Sequence, residues 1–192
     1  MSSIAEKYYQ NLLAVIGSVR ATDHAGQLMN FYEAIETVGR LVTSCAASGH
    51  KVMFIGNGAS AAISSHMAAD FSKNGNMRAM AFNDAPLLTA VSNDLGFQHI
   101  FERPLTMFAD DGDVLFAISS SGRSENVLRG VQAARTKGCT IITLSGFESN
   151  NPLCALGEMN FYVPSQHYGP VEVLHHSICH SILDVIMAKR IL

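Results

Sequence analysis

The chain has 192 residues, enough for one domain with a substantial core, and its 48% hydrophobic and 15% charged residues describe a folded globule rather than a disordered tract. A formal net charge of -3, with no basic run anywhere, leaves nothing to neutralise a nucleic-acid backbone, so DNA and RNA are not expected as ligands. The first ten residues hold Glu6, Lys7, Tyr8 and Tyr9 where a secretory leader would be basic and then apolar, and no run reaches the roughly 18 uninterrupted apolar residues of a membrane span. A cytoplasmic protein without membrane insertion is expected.

In chain order, residues 1–49 read as a helical leader. Tyr8, Leu12, Val15, Ile16 and Val19 mark one amphipathic helix, and Leu28, Phe31, Ile35, Val38, Leu41 and Val42 mark a second. Asp23 and Gly26 break the two apart, and Gly49 ends the second. From residue 50 the pattern changes to short apolar runs followed by small-residue turns and helical stretches, KVMFIGNGAS, MRAMAF, DVLFAISSSG, TIITLSG and NFYVP, which read as five strands. Strands apolar on both sides and separated by helices belong to a parallel sheet covered on both faces. The expected fold is an α/β three-layer sandwich with a five-stranded parallel sheet, carrying the leader within the same domain. A long helix is expected from Pro170 to the end. Cys45, Cys139, Cys154 and Cys179 have no paired short spacing and read as reduced thiols in or near the core.

In parallel α/β sheets ligands collect at the carboxyl ends of the strands, and two loops there stand out. After DVLFAI come Ser119, Ser120, Ser121, Gly122, Arg123 and Ser124, ahead of a helix. One such serine would do no more than cap that helix. Four of them, with free backbone N–H groups and the positive end of the helix dipole, make a phosphate cradle that needs no lysine. The turn Gly56, Asn57, Gly58, Ala59 and Ser60 follows the first core strand and faces the same side. It lacks the GxGxxG spacing of a dinucleotide site and the GK[ST] ending of a P-loop, so no nucleotide cofactor is expected.

A GNGxS turn, an SND segment at 92–94 and an SSSGRS loop in this order resemble the SIS (sugar isomerase) domain family, and within it the sedoheptulose 7-phosphate (phosphoheptose) isomerase branch. The resemblance spans essentially the whole chain. It implies a flavodoxin-like SIS fold, a homotetramer with sites at subunit boundaries, and interconversion of a ketose and an aldose 7-phosphate on the way to bacterial surface heptose. On this resemblance Asn57, Gly58, Ala59, Ser60, Asn93, Asp94, Ser119, Ser120, Ser121 and Ser124 fall on substrate-contacting positions. The family's HxxxE pair falls on His66 and Asp70, and its QxxxxxxxH pair on Glu172 and His180. These four are the implied metal ligands, with Zn²⁺ as the ion. Asp70 is the implied base and His180 the implied acid, with Glu172 as the reserve base and a further substrate contact. Asp for Glu and Glu for Gln depart from the family pattern and bear on which phosphosugar is used.

The residues support part of this without the name. His66 and Asp70 are four apart on a helix and share a face. Glu172 and His180 are eight apart, about 12 Å along a helix at ~1.5 Å per residue, so one ion would need both side chains to reach inward. His176 lies between them on nearly the same stripe and is a rival ligand, while His175 points elsewhere. Imidazoles with carboxylates suit Zn²⁺, and the carboxylates also suit harder cations. Two alternatives stand beside the heptose reading: an isomerase of another phosphosugar, and a non-catalytic SIS protein that binds a sugar phosphate or a protein partner.

Overall fold

A computed structural model describes residues 3–191, with side chains to residue 189. The elements in order are α1 (Ile4–Ile16), β1 (Arg20–Asp23), β2 (Leu28–Met29), α2 (Phe31–Ala47), β3 (Lys51–Gly56), α3 (Ala59–Lys73), β4 (Arg78–Ala81), α4 (Ala85–Leu95), α5 (Glu102–Phe108), β5 (Val114–Ser119), α6 (Glu125–Thr136), β6 (Thr140–Ser145), β7 (Met159–Tyr162) and α7 (Tyr168–Ile191).

The five expected runs are five parallel strands in the order β4, β3, β5, β6, β7, the flavodoxin-like arrangement. Both faces are covered, which is why β3 and β5 are buried at every position. On one face Phe54, Phe116, Ile118 and Leu144 meet α2, α3 and α7 through Val38, Met67, Phe71, Ile178 and Ile182. On the other, Met53, Ile55, Leu115 and Ile141 meet α4, α5 and α6 through Val91, Leu105, Val127 and Val131. At about 25 cal/mol per Å² of apolar surface, these two layers are the main source of stability.

The sheet has seven strands rather than five. β1 pairs antiparallel with the outer edge of β7, Ala21 opposite Phe161, and β2 pairs with β1. The expected helical leader is therefore two helices interrupted by a hairpin, with Val19 beyond the end of α1 and Leu28 in β2. The run Arg20–Asp23 carries little apolar signal because it is held by backbone pairing to β7 on one side and β2 on the other. Its turn is built locally: Asp23 Oδ1 accepts from the N–H groups of Ala25 and Gln27 at 2.9 Å each, and Gly26 adopts φ +75°. The last helix opens two residues before Pro170, which sits in the first turn where its missing N–H costs nothing. Residues 168–189 are long enough and apolar enough to cross a membrane, at mean hydropathy 1.2. Their apolar stripe, Leu174, Ile178, Ile182 and Ile186, is instead packed into the core.

The four cysteines are free, and burial pushes Cys45 up to about 11 and Cys139 and Cys179 to about 12, so these three stay protonated. Beneath the sheet, fully buried Asp113 accepts from the backbone N–H groups of Lys51 and Asp110 and meets Lys51 Nζ at 2.6 Å. Removing the acid leaves two backbone N–H groups without their acceptor and Lys51 with Asp110 alone, so Asp113→Ala is expected to lower unfolding free energy by about 2–4 kcal/mol. Denaturant titration checks this, and a loss below ~1 kcal/mol would show that the pair is not structural.

Candidate sugar-phosphate site

The parallel register brings two turns to one place, because Gly56 ends β3 opposite Ile118 while Ser119 ends β5 opposite Ser145. The first turn passes so close to its neighbours that a Cβ on Gly56 would lie 2.6 Å from that of Ser60 and 2.8 Å from the Ile118 carbonyl oxygen. Only glycine fits. In the second, Gly122 has φ +60°, and a Cβ there would overlap the amide of buried Asn151. From below, Gly146 N–H donates to the Ser120 carbonyl at 3.0 Å and Leu153 N–H to that of Gly122 at 3.2 Å.

Ser124 is the N-cap residue of α6, yet its hydroxyl makes no capping hydrogen bond. It lies 3.3 Å from the Ser119 hydroxyl, while Ser121 Oγ accepts from Arg123 N–H. Ser124 thus keeps its hydroxyl for something else. A cavity of about 250 Å³ opens here, lined by Asn57, Gly58, Ala59, Ser60, Ser119, Ser120, Ser121, Ser124, Tyr168 and Glu172. Nine of the eleven expected contact residues, Glu172 among them, therefore line one cavity. Asn93 and Asp94 do not line it: they are exposed near the end of α4, with Asn93 Nδ2 donating to Asp94 Oδ1. Among the described residues no lysine or arginine lines the cavity, so hydroxyls, backbone N–H groups and a helix dipole are what they offer an anion.

A second cluster lies further along α3 and α7. His66 Nε2 is 3.4 Å from Asp70 Oδ2, and His180 Nδ1 is 3.9 Å from the same oxygen. The ring of His176 is 5.0 Å from that of His66 and 4.6 Å from that of His180. Burial, then the neighbouring His180 and His66, hold the His176 pKa below its ordinary value. Glu172, the remaining expected metal ligand, is in the serine-lined cavity and is not one of the three histidines that stand within reach of one ion.

The same architecture recurs in known proteins. Residues 7–146 match the SIS domain family model. Over 171 residues the chain is 34% identical to the phosphoheptose isomerase of Helicobacter hepaticus, covering 86% of this chain and 87% of that one. The chain belongs to the SIS domain family, among the phosphoheptose isomerases. Solved structures agree. That of phosphoheptose isomerase from Neisseria gonorrhoeae superposes with a TM-score of 0.74 at 32% identity, over 80% of this chain and 86% of that one. That of a phosphoheptose isomerase from Francisella tularensis gives 0.80 at 26% identity, over 98% of this chain and all of the other.

Two residues of this SIS chain escaped sequence reasoning. Asn126, only 2% exposed, exchanges both amide hydrogen bonds with Asn57 at 2.9 Å each and so ties the glycine turn to the serine loop's helix. An asparagine in a first helical turn carries no distinguishing signal. Tyr168 lies ahead of Pro170, where the helix was expected to begin.

His175, on the other side of α7, is fully buried with Nε2 3.0 Å from the Ser145 carbonyl oxygen, and burial depresses its pKa from 6.5 to about 4. The folded state prefers the neutral ring. That contribution is complete above pH 6.5 and drains away as pH falls toward 4, by about 3 kcal/mol in all. Stability measured across this window is expected to fall more gently in His175→Gln than in the parent chain, and equal slopes would contradict this.

Proposed function

We propose that the protein is a cytoplasmic aldose–ketose isomerase converting sedoheptulose 7-phosphate to D-glycero-D-manno-heptose 7-phosphate. The observation that carries this is the layout of α7. Glu172 lines the serine cavity, and eight residues on, about 12 Å along the helix, His180 stands beside Asp70. A phosphate handle and an acid–base pair thus occupy two ends of one track. An open-chain seven-carbon sugar held at Ser119, Ser120, Ser121 and Ser124 extends toward Asp70, whereas a short sugar would leave its carbonyl near Glu172.

In the ketose-to-aldose direction the Asp70 carboxylate removes a proton from C1 while the C2 oxygen takes one from His180, giving the enediol. Asp70 then returns its proton to C2, and the O1 proton passes back to His180, leaving the aldehyde at C1. Glu172, between handle and cluster, accepts hydrogen bonds from sugar hydroxyls. Asn93 and Asp94 are assigned to the sugar on family resemblance alone. A Zn²⁺ on the imidazoles supplies, when bound, a positive charge against the developing oxyanion.

Residues 1–192 are read as one SIS domain assembling into a homotetramer. Its support is apolar surface on the leader: Ile4, Tyr9 and Leu13 of α1 are exposed, and a groove lined by Phe31, Tyr32, Ile35 and Ile178 opens beside them. The Asp70 carboxylate is one methylene shorter than the glutamate usual at its position, which favours as second reading an isomerase of another phosphosugar. A panel of ketose phosphates in deuterated water, followed by NMR, separates the two. Label entering the carbon skeleton of sedoheptulose 7-phosphate supports the first, and label entering only another sugar replaces it.

Asp70→Asn and His180→Ala are each expected to lower kcat by about 10²–10⁴ with folding retained. Full turnover by both would sink the assignment. Ser124→Ala and Asn126→Ala are expected to raise KM about ten-fold with a smaller change in kcat, since the phosphate is remote from the reacting carbons. Steady-state kinetics unchanged in both would move the phosphate elsewhere.

A further inference from the structure

The HxxxE and QxxxxxxxH pairs would give an ion the ligands His66, Asp70, Glu172 and His180, and the geometry does not bring that set together. Glu172 instead lines the serine cavity, about two helical turns along α7 from His180, and is not in the group whose ligand atoms lie together. His176 stands in the missing place. One nitrogen from each of His66, His176 and His180 lies within 4.8 Å of the other two, the only such group of three or more His, Cys, Asp or Glu among the described residues. The His66 and His180 ring centres are 5.2 Å apart, with His176 packed against both. Nε2 of His176 is buried and has no hydrogen-bond partner among the described residues. A buried imidazole nitrogen without a partner costs about 1–3 kcal/mol, and a cation in the middle of three such rings removes that cost.

We propose that His176 is the third protein ligand of a transition-metal ion held by His66, His176 and His180, and that Glu172 is not a ligand but belongs to the sugar cavity. Three imidazoles select zinc, cobalt, nickel or copper over magnesium or calcium. Three protein ligands leave the fourth tetrahedral position open, as in catalytic rather than structural zinc sites. The Asp70 carboxylate lies 3.4 Å from His66 Nε2 and 3.9 Å from His180 Nδ1, beside the three imidazoles without joining their group. The inference rests on the isomerase reading only in setting the ion beside the reacting end of the sugar; the ligand set itself rests on the histidines.

The test uses the full chain, stripped with a chelator, loaded with Zn²⁺ and desalted. The parent chain and Glu172→Gln are expected to retain stoichiometric zinc and to melt higher with zinc than without. His176→Gln is expected to retain less than a tenth as much, with no zinc-induced shift. Zinc held equally by His176→Gln, lost from Glu172→Gln, or never held by the parent chain would overturn the assignment. Should His176→Gln unfold without metal, His176→Cys loaded with Co²⁺ decides: a thiolate-to-cobalt charge-transfer band supports ligation, and its absence refutes it. Isomerisation of sedoheptulose 7-phosphate by the parent chain, both metal-stripped and zinc-loaded, is read separately. Zinc retention without turnover would leave the ligand set standing while the isomerase reading fell.

Discussion

The rotation of α7 about its own axis is the constraint on which the site depends, and one buried contact fixes it. His175 reaches the Ser145 carbonyl at the end of β6 through 3.0 Å, inside a fully buried environment where an unpaired polar group is costly. With His175 turned to the sheet, its neighbours three before, one after and five after it are aimed outward. Glu172 enters the serine cavity, and His176 and His180 face α3. The same carbonyl end of β6 is next to the serine loop, since Gly146 N–H holds Ser120. Handle and cluster are thereby referenced to one point of the sheet.

Much of this was legible in the sequence because the signals were two-sided. The runs at 51–56 and 114–119 are apolar without alternation, which only strands buried on both faces can be, and both are buried throughout. Small residues at their ends marked the ligand-facing turns. The hairpin at 20–29 was not legible: Arg20, Ala21, Thr22 and Asp23 pair with neighbouring strands by backbone hydrogen bonds, and backbone bonding leaves no pattern in side-chain hydropathy. The cluster was half legible. Helical spacing joins His66 to Asp70 and sets His176 among the rivals, but the packing of α3 against α7 is what decides between His176 and Glu172, and that is tertiary information. Asn126 was invisible for the same reason, since its partner Asn57 is 69 residues away.

The two departures from the family pattern fall in different places, Asp70 beside the histidine cluster and Glu172 in the serine cavity. A shorter acid at Asp70 withdraws one carbon from the centre of the cluster, and the His176 ring fills space toward that centre. The serine cavity, by contrast, holds its form through glycines that admit no side chain and through the paired amides of Asn57 and Asn126. The turns of the serine cavity are rigid by steric necessity.

The cavity's lack of a lysine or arginine among the described residues has a meaning for a reversible reaction. Substrate and product of an isomerisation carry the same phosphate, so whatever holds that group holds both equally and adds nothing to the chemical step once the site is filled. A cationic clamp would deepen both wells alike and slow departure in either direction. Neutral hydroxyls and peptide N–H groups, on the proposed reading, would hold the dianion by direction rather than by net charge. That grip fades little with ionic strength and lets the sugar leave as readily in one form as in the other.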